Sequence, residues 1–202
     1  MAAERIERFG RTERALHWVH AAAFLVMLAT GLISYLPTLS EIVARRGLVK
    51  DVHLLTALAW IVAIAAVVAF GDRSRLAADW REIETVDRDD RRWLLGRRAP
   101  QGRFNAGQKL NALLSVAFAL LFVVTGTLLW LGERDHAFFF GGTGVVHVGL
   151  TLASVVLLAG HLHLAVVHPR TRHALRGMTS GDVDREWAAR RHPKWVAAEE
   201  AR

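Results

Sequence analysis

Residues 145–167 read VVHVGLTLASVVLLAGHLHLAVV, an apolar run that contains no Asp, Glu, Lys or Arg. A helix rises about 1.5 Å per residue, so this run is long enough to cross the roughly 30 Å hydrocarbon core of a bilayer. A run that is apolar on all sides cannot form the two-faced helix of a soluble protein. The run therefore predicts a membrane-spanning helix that carries His147 and His161.

Three further apolar windows precede this one, and the segments between the windows are rich in Arg, Asp and Glu. Backbone polar groups inside a bilayer must be satisfied within the chain, so each window is expected to be helical. The first window is too long for a signal-peptide core and lacks a small-residue cleavage site, so we expect a mature helix there. The sequence predicts an all-α integral membrane protein, a four-helix bundle with a C-terminal helical tail. The windows are residues 15–36, 52–70, 110–131 and 145–167.

The basic residues indicate the orientation. Of the 26 Lys and Arg residues, 22 lie before the first window, between the second and third, or after the fourth. Four crossings put these three segments on one side of the membrane, and the positive-inside rule makes that side cytoplasmic. We therefore predict a multi-pass protein of the bacterial inner membrane with both termini in the cytoplasm. It would comprise a cytoplasmic amphipathic lead-in (1–14), a four-helix domain (15–168) and a cytoplasmic tail (169–202).

The charge and the cysteine content limit the function classes. A net charge of +7 is compatible with nucleic-acid binding, but the topology and anionic lipid headgroups account for the basic residues. We therefore expect membrane lipid, and no nucleic acid, as a partner. The chain has no cysteine, which excludes thiolate ligands for an iron–sulfur cluster and a thioether anchor for a c-type haem. Any metal must be held by histidine.

Histidines inside the windows are the candidate functional residues. Ionisable groups at membrane depth are costly, and are expected to face the bundle interior and to have a partner. His147 and His161 are fourteen residues apart, which at about 100° per residue puts them on one face, roughly 21 Å apart along the axis. His17 in the first helix should lie level with His161, and His53 in the second helix should lie level with His147. The sequence thus predicts two histidine pairs at two depths.

Imidazole is a good axial ligand for haem iron, and facing helices of a bundle can hold a haem between two histidines. We therefore predict two b-type haems, one bound by His17 and His161 and the other by His53 and His147. His20 follows His17 by three residues on the same face, so it is an alternative ligand. An alternative of another class is a His-lined metal or proton transporter without haem.

Small residues near the candidate ligands would leave room for a flat porphyrin, although glycine is common in membrane helices for other reasons. We identify no internal repeat in the sequence. The small residues are Gly31, Gly126, Gly149 and Gly160.

Phrases spread over almost the whole chain resemble one protein family. They are ERALHW, DVHLLTAL, RFNAGQKLNALL, VTGTLLW, VVHVGLTLASVVLLAGHLH and MTSGDVDREWAARRHPKW. Together they resemble the cytochrome b556, or gamma, subunit of respiratory membrane-bound formate dehydrogenases. In that family the histidines that correspond to His17, His53, His147 and His161 bind two b haems. The family pairs His17 with His161 and His53 with His147, which agrees with the pairing predicted from their depths.

The phrase FNAGQK, residues 104–109, is the most specific part of the resemblance, which implies a menaquinone site beside the cytoplasmic-side haem. A quinone carbonyl needs hydrogen-bond donors, and the amides of Asn105 and Gln108 and the N–H of Gly107 can supply them. The alternative is structural, with Asn105 as the N-cap of the third helix. Both roles can hold together.

The resemblance implies an electron-transfer subunit with no catalytic residue of its own for formate. Electrons would come from an iron–sulfur (beta) subunit, joined to a molybdenum or tungsten catalytic (alpha) subunit, and would reduce menaquinone. The charged tail is too polar to bury, so we expect a helix over residues 182–191 and a docking surface for a partner subunit. The complex could form a higher oligomer. Alternatives are the cytochrome b subunit of a nickel–iron hydrogenase or of another molybdoenzyme.

Overall fold

The computed structural model describes residues 4–201, so residues 1–3 of the predicted lead-in and residue 202 of the predicted tail lie outside the described residues. In chain order the α-helices are α1 (Arg11–Tyr35), α2 (Pro37–Val43), α3 (Arg46–Phe70), α4 (Arg73–Glu84), α5 (Arg88–Leu94), α6 (Ala106–Gly132), α7 (Thr143–Leu162), α8 (Leu175–Thr179), α9 (Arg185–Arg191) and α10 (Pro193–Glu200). Helices α1, α3 and α6, and α7 together with the π-helical turn His163–Val167 that follows it, correspond to the four apolar windows and are long and apolar enough to cross a membrane.

Strand structure in the described part of the chain is limited to β1 (Arg5–Glu7) and β2 (Asp182–Asp184), which form a two-stranded sheet. The sequence did not predict this sheet, whose strands have three residues each. The predicted all-α class is confirmed, with four helices that are long and apolar enough to cross a membrane.

The long helices keep many of their apolar side chains exposed. Val62 is 68% exposed, Val145 76% and Val156 72%. Leaving apolar surface in water costs about 25 cal/mol per Å², whereas hydrocarbon solvates it. These faces, together with the helix lengths, are those of a protein embedded in a bilayer.

The chain divides into two compact units, and each contains one pair of long helices. We name the first the α1–α3 unit, which consists of Glu7–Ala78 and Gly177–Asp182. The second, the α6–α7 unit, consists of residues 4–6, 79–176 and 183–201 of the described part of the chain.

In the α1–α3 unit, α1 and α3 pack as an antiparallel pair. The contacts that show the direction are Thr30 with His53, His20 with Trp60, and Thr12 with Asp72. Positions progressively nearer the start of α1 meet positions progressively nearer the end of α3. His17 and His53 therefore lie towards opposite ends of this pair, as the sequence predicts.

In the α6–α7 unit, the C-terminal tail forms a small core. Trp187 is 7% exposed, Trp195 5% and Val196 6%, and Ile6 and Ala174 pack against this cluster. From the sequence, we expected the tail to be too polar to bury, and this was wrong for the apolar side chains that form the core. The helix expected over residues 182–191 is α9, with β2 before it.

Candidate functional site

Two of the predicted ligands, His53 in α3 and His147 in α7, have the same local environment. The Nδ1 atom of His53 lies 2.9 Å from the hydroxyl oxygen of Thr30, and that of His147 lies 2.8 Å from the hydroxyl oxygen of Thr125. Each hydroxyl also contacts the carbonyl oxygen four residues earlier in its own helix, at 2.8 Å in α1 and 2.7 Å in α6. Each helix pair thus carries the same threonine and histidine arrangement.

A glycine follows each threonine and leaves space beside the imidazole. A Cβ added at Gly31 would lie 3.6 Å from Cε1 of His53, and one added at Gly126 would lie 3.6 Å from Cε1 of His147. Each glycine therefore lies beside the Cε1 side of its imidazole, and at Gly31 the next nearest ring atom is Nδ1, at 3.9 Å. An imidazole whose Nδ1 is hydrogen-bonded fits an axial haem ligand, because Nε2 is then the ring nitrogen that can bind iron.

Other kinds of metal site require more protein ligands. Among residues 4–201, no three His, Cys, Asp or Glu side chains come together in a group that could hold a metal ion. A haem iron takes four ligands from its porphyrin and only two from the protein, so paired histidines suffice for it.

The other two predicted ligands lie near helix ends. The ring of His17 is edge-on to that of Trp18, with centroids 5.0 Å apart, and the indole N–H of Trp18 donates to the carbonyl of Met178 at 2.9 Å. His161 is exposed in the last turn of α7, directly before a π-helical turn, His163–Val167. Such turns are rare and often mark functional sites.

The four predicted ligands come from both units, so the pairing of His17 with His161 and of His53 with His147 stays a prediction. The alternative ligand His20 packs inside the α1–α3 unit. Its ring lies 5.8 Å from that of Trp60. The rings of His17 and His147 make aromatic contacts too, so the choice of His17 over His20 stays a prediction from the sequence.

The phrase FNAGQK forms the start of α6, and Asn105 is its N-cap. The Oδ1 atom of Asn105 accepts the N–H of Gln108 at 2.9 Å, and Oε1 of Gln108 accepts the N–H of Asn105 at 3.0 Å. The structural alternative for Asn105 is therefore present, as a reciprocal capping box. The box also orients both amides, because the oxygen of each faces the backbone and the NH₂ group points away from it.

The N–H groups of the first turn of a helix need acceptors outside the helix. In α6, those of Ala106, Gln108 and Lys109 donate to Gln101 Oε1, Asn105 Oδ1 and the Asn105 carbonyl, each at 2.9 Å. Within the described residues, the N–H of Gly107 is the first-turn donor that has no acceptor at hydrogen-bond distance. An added Cβ at Gly107 would lie 3.1 Å from the Trp93 ring, so a side chain there would displace the indole.

Lys109, the last residue of the phrase, has a structural role. Its Nζ atom donates to Oδ2 of Asp90 at 2.8 Å and to the carbonyl of Thr85 at 2.9 Å. The Lys109 and Asp90 side chains are 9% and 4% exposed. This buried ion pair fastens α5 to the start of α6.

The C-terminal tail contacts the segment that leads into α6. The Nδ1 atom of His192 lies 2.7 Å from the carbonyl oxygen of Gly102, and the backbone N–H of Lys194 donates to the carbonyl of Gln101 at 3.1 Å. The side chain of Lys194 hydrogen-bonds Asp87 and lowers the pKa of that carboxyl from 3.8 to about 2. Because the pKa is lowered on folding, this contact stabilises the protein above about pH 4, and the contribution is lost as the pH falls towards 2.

Two residues of the site, Thr30 and Thr125, were not identified from the sequence. The available signal was the dipeptide Thr-Gly, which occurs in the first and third windows, 23 and 22 residues before the partner histidine. From the sequence we identified no internal repeat, yet the local arrangement is repeated in the two helix pairs.

Known proteins resemble the chain over most of its length. The sequence profile of the prokaryotic cytochrome b561 family matches residues 8–181. The formate dehydrogenase cytochrome b556(fdo) subunit of Escherichia coli (strain K12) is 24% identical over 95% of this chain and 92% of its own length. The cytochrome b556(Fdn) subunit of nitrate-inducible formate dehydrogenase from the same strain is 26% identical, with 91% and 86% covered. A formate dehydrogenase cytochrome b556 subunit of Haemophilus influenzae is 26% identical, with 96% and 84% covered.

We predict that Lys109→Met costs about 3–5 kcal/mol of stability, because it leaves the carboxylate of Asp90 buried without its ammonium. Lys194→Met is the control: Lys194 is 38% exposed, its partners Asp87 and Asp89 are 48% and 25% exposed, and exposed pairs contribute about 0–1 kcal/mol. Denaturant unfolding in detergent measures both. Adding Asp90→Asn to Lys109→Met should restore part of the loss, since Asn keeps the acceptor oxygen and removes the charge. Equal losses for the two lysines would contradict the structural role of Lys109.

Proposed function

The chain belongs to the prokaryotic cytochrome b561 family, whose members are membrane proteins that bind haem b, and on this premise we propose that it is the di-haem cytochrome b subunit of a formate dehydrogenase. The curated relatives that it resembles over most of their length are named as subunits of such enzymes. The observation that carries the electron-transfer role is that the α1–α3 pair has a histidine towards each end. Helix α7 likewise carries His147 near its start and His161 in its last turn.

We propose that His17 and His161 bind one haem and that His53 and His147 bind the other. Haem b supplies reversible one-electron transfer when it is bound. The contribution of the chain is to present four imidazoles at membrane depth and to surround them with apolar helices that keep water away. Support for ligation by His53 and His147 comes from their hydrogen-bonded Nδ1 atoms and from the small glycine beside each ring.

The proposed partners are an iron–sulfur subunit and, through it, a molybdenum or tungsten catalytic subunit that oxidises formate. Electrons would enter from the outer side, and menaquinone would be reduced on the cytoplasmic side, where we expect most of the basic residues. Quinone reduction takes up protons from the cytoplasm while the electrons come from outside. The reaction would therefore charge the membrane.

We propose that menaquinone binds at the start of α6, through one carbonyl oxygen. The N–H of Gly107 and the NH₂ groups of Asn105 and Gln108 are the proposed donors. The carbonyl oxygen gains negative charge as the quinone is reduced, so the hydrogen bonds from these donors strengthen during the reaction. Support comes from the capping box, which turns both amide oxygens towards the backbone.

Native membranes test the identity of the donor. We expect formate to reduce the b haems of membranes that contain this chain and hydrogen to leave them oxidised, measured by reduced-minus-oxidised absorbance spectra. Membranes from a strain that lacks the chain are the control. Reduction by hydrogen and not by formate would contradict the proposal and would indicate a hydrogenase subunit.

Haem content tests the ligands. We expect two haem b per wild-type chain, released by acid extraction because there is no cysteine to tether them. His17→Ala should retain one haem, and the control His20→Ala should retain two, because the proposal makes His17, and not His20, the ligand in the first helix. A pyridine haemochromogen assay on the purified protein gives the ratio. Loss of a haem in the His20 variant and not in the His17 variant would exchange their roles.

A single atom exchange tests the quinone site. Asn105→Asp keeps an oxygen that caps the N–H of Gln108 but removes the NH₂ donor, whereas Asn105→Leu removes both. We expect both variants to slow reoxidation of the reduced haems by menaquinone by about one to two orders of magnitude, since a hydrogen bond contributes roughly 1–3 kcal/mol. Only the Leu variant should lose about 1 kcal/mol of stability. Stopped-flow reoxidation at the wild-type rate in Asn105→Asp would leave Asn105 a structural cap alone.

A further inference from the structure

We propose that Thr30 and Thr125 are positioning residues that fix the tautomer of His53 and His147, so that both imidazoles present Nε2 to haem iron. The inference rests on the proposed function, because it concerns two of the proposed ligands. It adds two residues that make no contact with the iron and act through the histidines. The observation behind it is the repeated threonine and histidine arrangement of the two helix pairs.

The position of one hydrogen atom decides the tautomer. The Thr30 hydroxyl lies 2.8 Å from the carbonyl oxygen of Val26, and the Thr125 hydroxyl lies 2.7 Å from that of Leu121. A carbonyl oxygen can only accept, so the single hydroxyl hydrogen must lie on that contact. The hydroxyl oxygen is then an acceptor towards the nearby ring nitrogen.

The hydrogen on each Nδ1 atom follows from this assignment. The Nδ1 atoms of His53 and His147 lie 2.9 and 2.8 Å from hydroxyl oxygens that have already donated their hydrogen. A contact this short between two atoms without a hydrogen would be repulsive, so Nδ1 carries the proton. A neutral imidazole has only one N–H, and Nε2 therefore holds the lone pair that can bind a metal.

An oriented Nδ1–H has two consequences for a bound haem. It holds the ring at one rotation and raises the basicity of Nε2, and loss of such a partner typically weakens metal binding by about 10–100-fold. A more basic axial ligand stabilises ferric over ferrous iron, which lowers the reduction potential. Removing the hydroxyl should therefore weaken haem retention and raise the potential.

Threonine in an apolar helix also has a general role, because its hydroxyl can donate a hydrogen bond to a backbone carbonyl of the same helix. Thr151 shows this role: it donates to the carbonyl of His147 at 2.9 Å and sits in the same helix as that ligand. Thr151→Val thus removes the backbone contact of a threonine near the same site. It is the matched control for Thr125→Val.

The experiment uses the detergent-purified holo-complex. Thr30→Val and Thr125→Val keep the side-chain shape and remove the hydroxyl, whereas Thr30→Ser and Thr125→Ser keep it. Redox titration followed by absorbance gives the potential of each haem, electron paramagnetic resonance gives the ferric signal, and transfer to apomyoglobin gives haem retention. We expect each Val variant to shift one haem to a higher potential, to change its ferric signal, and to lose that haem about 10–100-fold faster. The Ser variants and Thr151→Val should resemble wild type.

Wild-type potentials, ferric signals and haem retention in both Val variants would overturn the inference, while two haems in the wild-type protein would leave the proposed function intact. A Thr151→Val shift equal to that of Thr125→Val would also overturn it, because the effect would then belong to the helix backbone. If a Val variant assembles without the haem, its Ser counterpart decides. Recovery of the haem by Ser supports positioning through the hydroxyl, and absence of recovery overturns it.

Discussion

Hydrocarbon offers no hydrogen bonds, so every polar side chain inside an apolar helix has to find its partners within the chain. Thr30 and Thr125 meet this constraint twice over, because each hydroxyl donates to a backbone carbonyl of its own helix and accepts from a histidine of the neighbouring helix. The same contact joins the two helices of each pair and satisfies one nitrogen of the imidazole. Only the other nitrogen remains for a ligand, and that is what an axial histidine requires.

The fold could be predicted because membrane helices are signalled by composition alone. Uninterrupted apolar runs give the length and number of α1, α3, α6 and α7, and the depths of His17 and His53 follow from the antiparallel order of the first two helices. Thr30 and Thr125 were not predicted, since threonine is ordinary in apolar helices and only the packed structure shows which hydroxyl meets a ring. The assignment of haem pairs stays a prediction from the sequence.

For the C-terminal tail, part of the prediction from the sequence was wrong. Its charged residues made it look solvated, but the apolar side chains among them, including Trp187 and Trp195, form a core in which the charges stay on the outside. Average polarity hides such a core, because a few large aromatic rings bury as much surface as a longer run of small apolar residues. With His192 and Lys194 in contact with the segment before α6, the tail supports the proposed quinone site from within the chain. Any partner subunit would then meet a surface that is already folded.

The phrase FNAGQK shows why a structural role and a binding role need not compete. The capping box uses one oxygen from Asn105 and one from Gln108, and neither oxygen could serve a quinone, since a carbonyl needs donors. An amide has its acceptor and its donors on opposite sides of one carbon, so fixing the oxygen on the backbone fixes the direction of the NH₂ group as well. Donors fixed in this way need little reorientation when charge develops on a substrate, which makes their stabilisation of that charge more effective. The capping box at the start of α6 would therefore orient the donors of the proposed quinone site before a quinone binds.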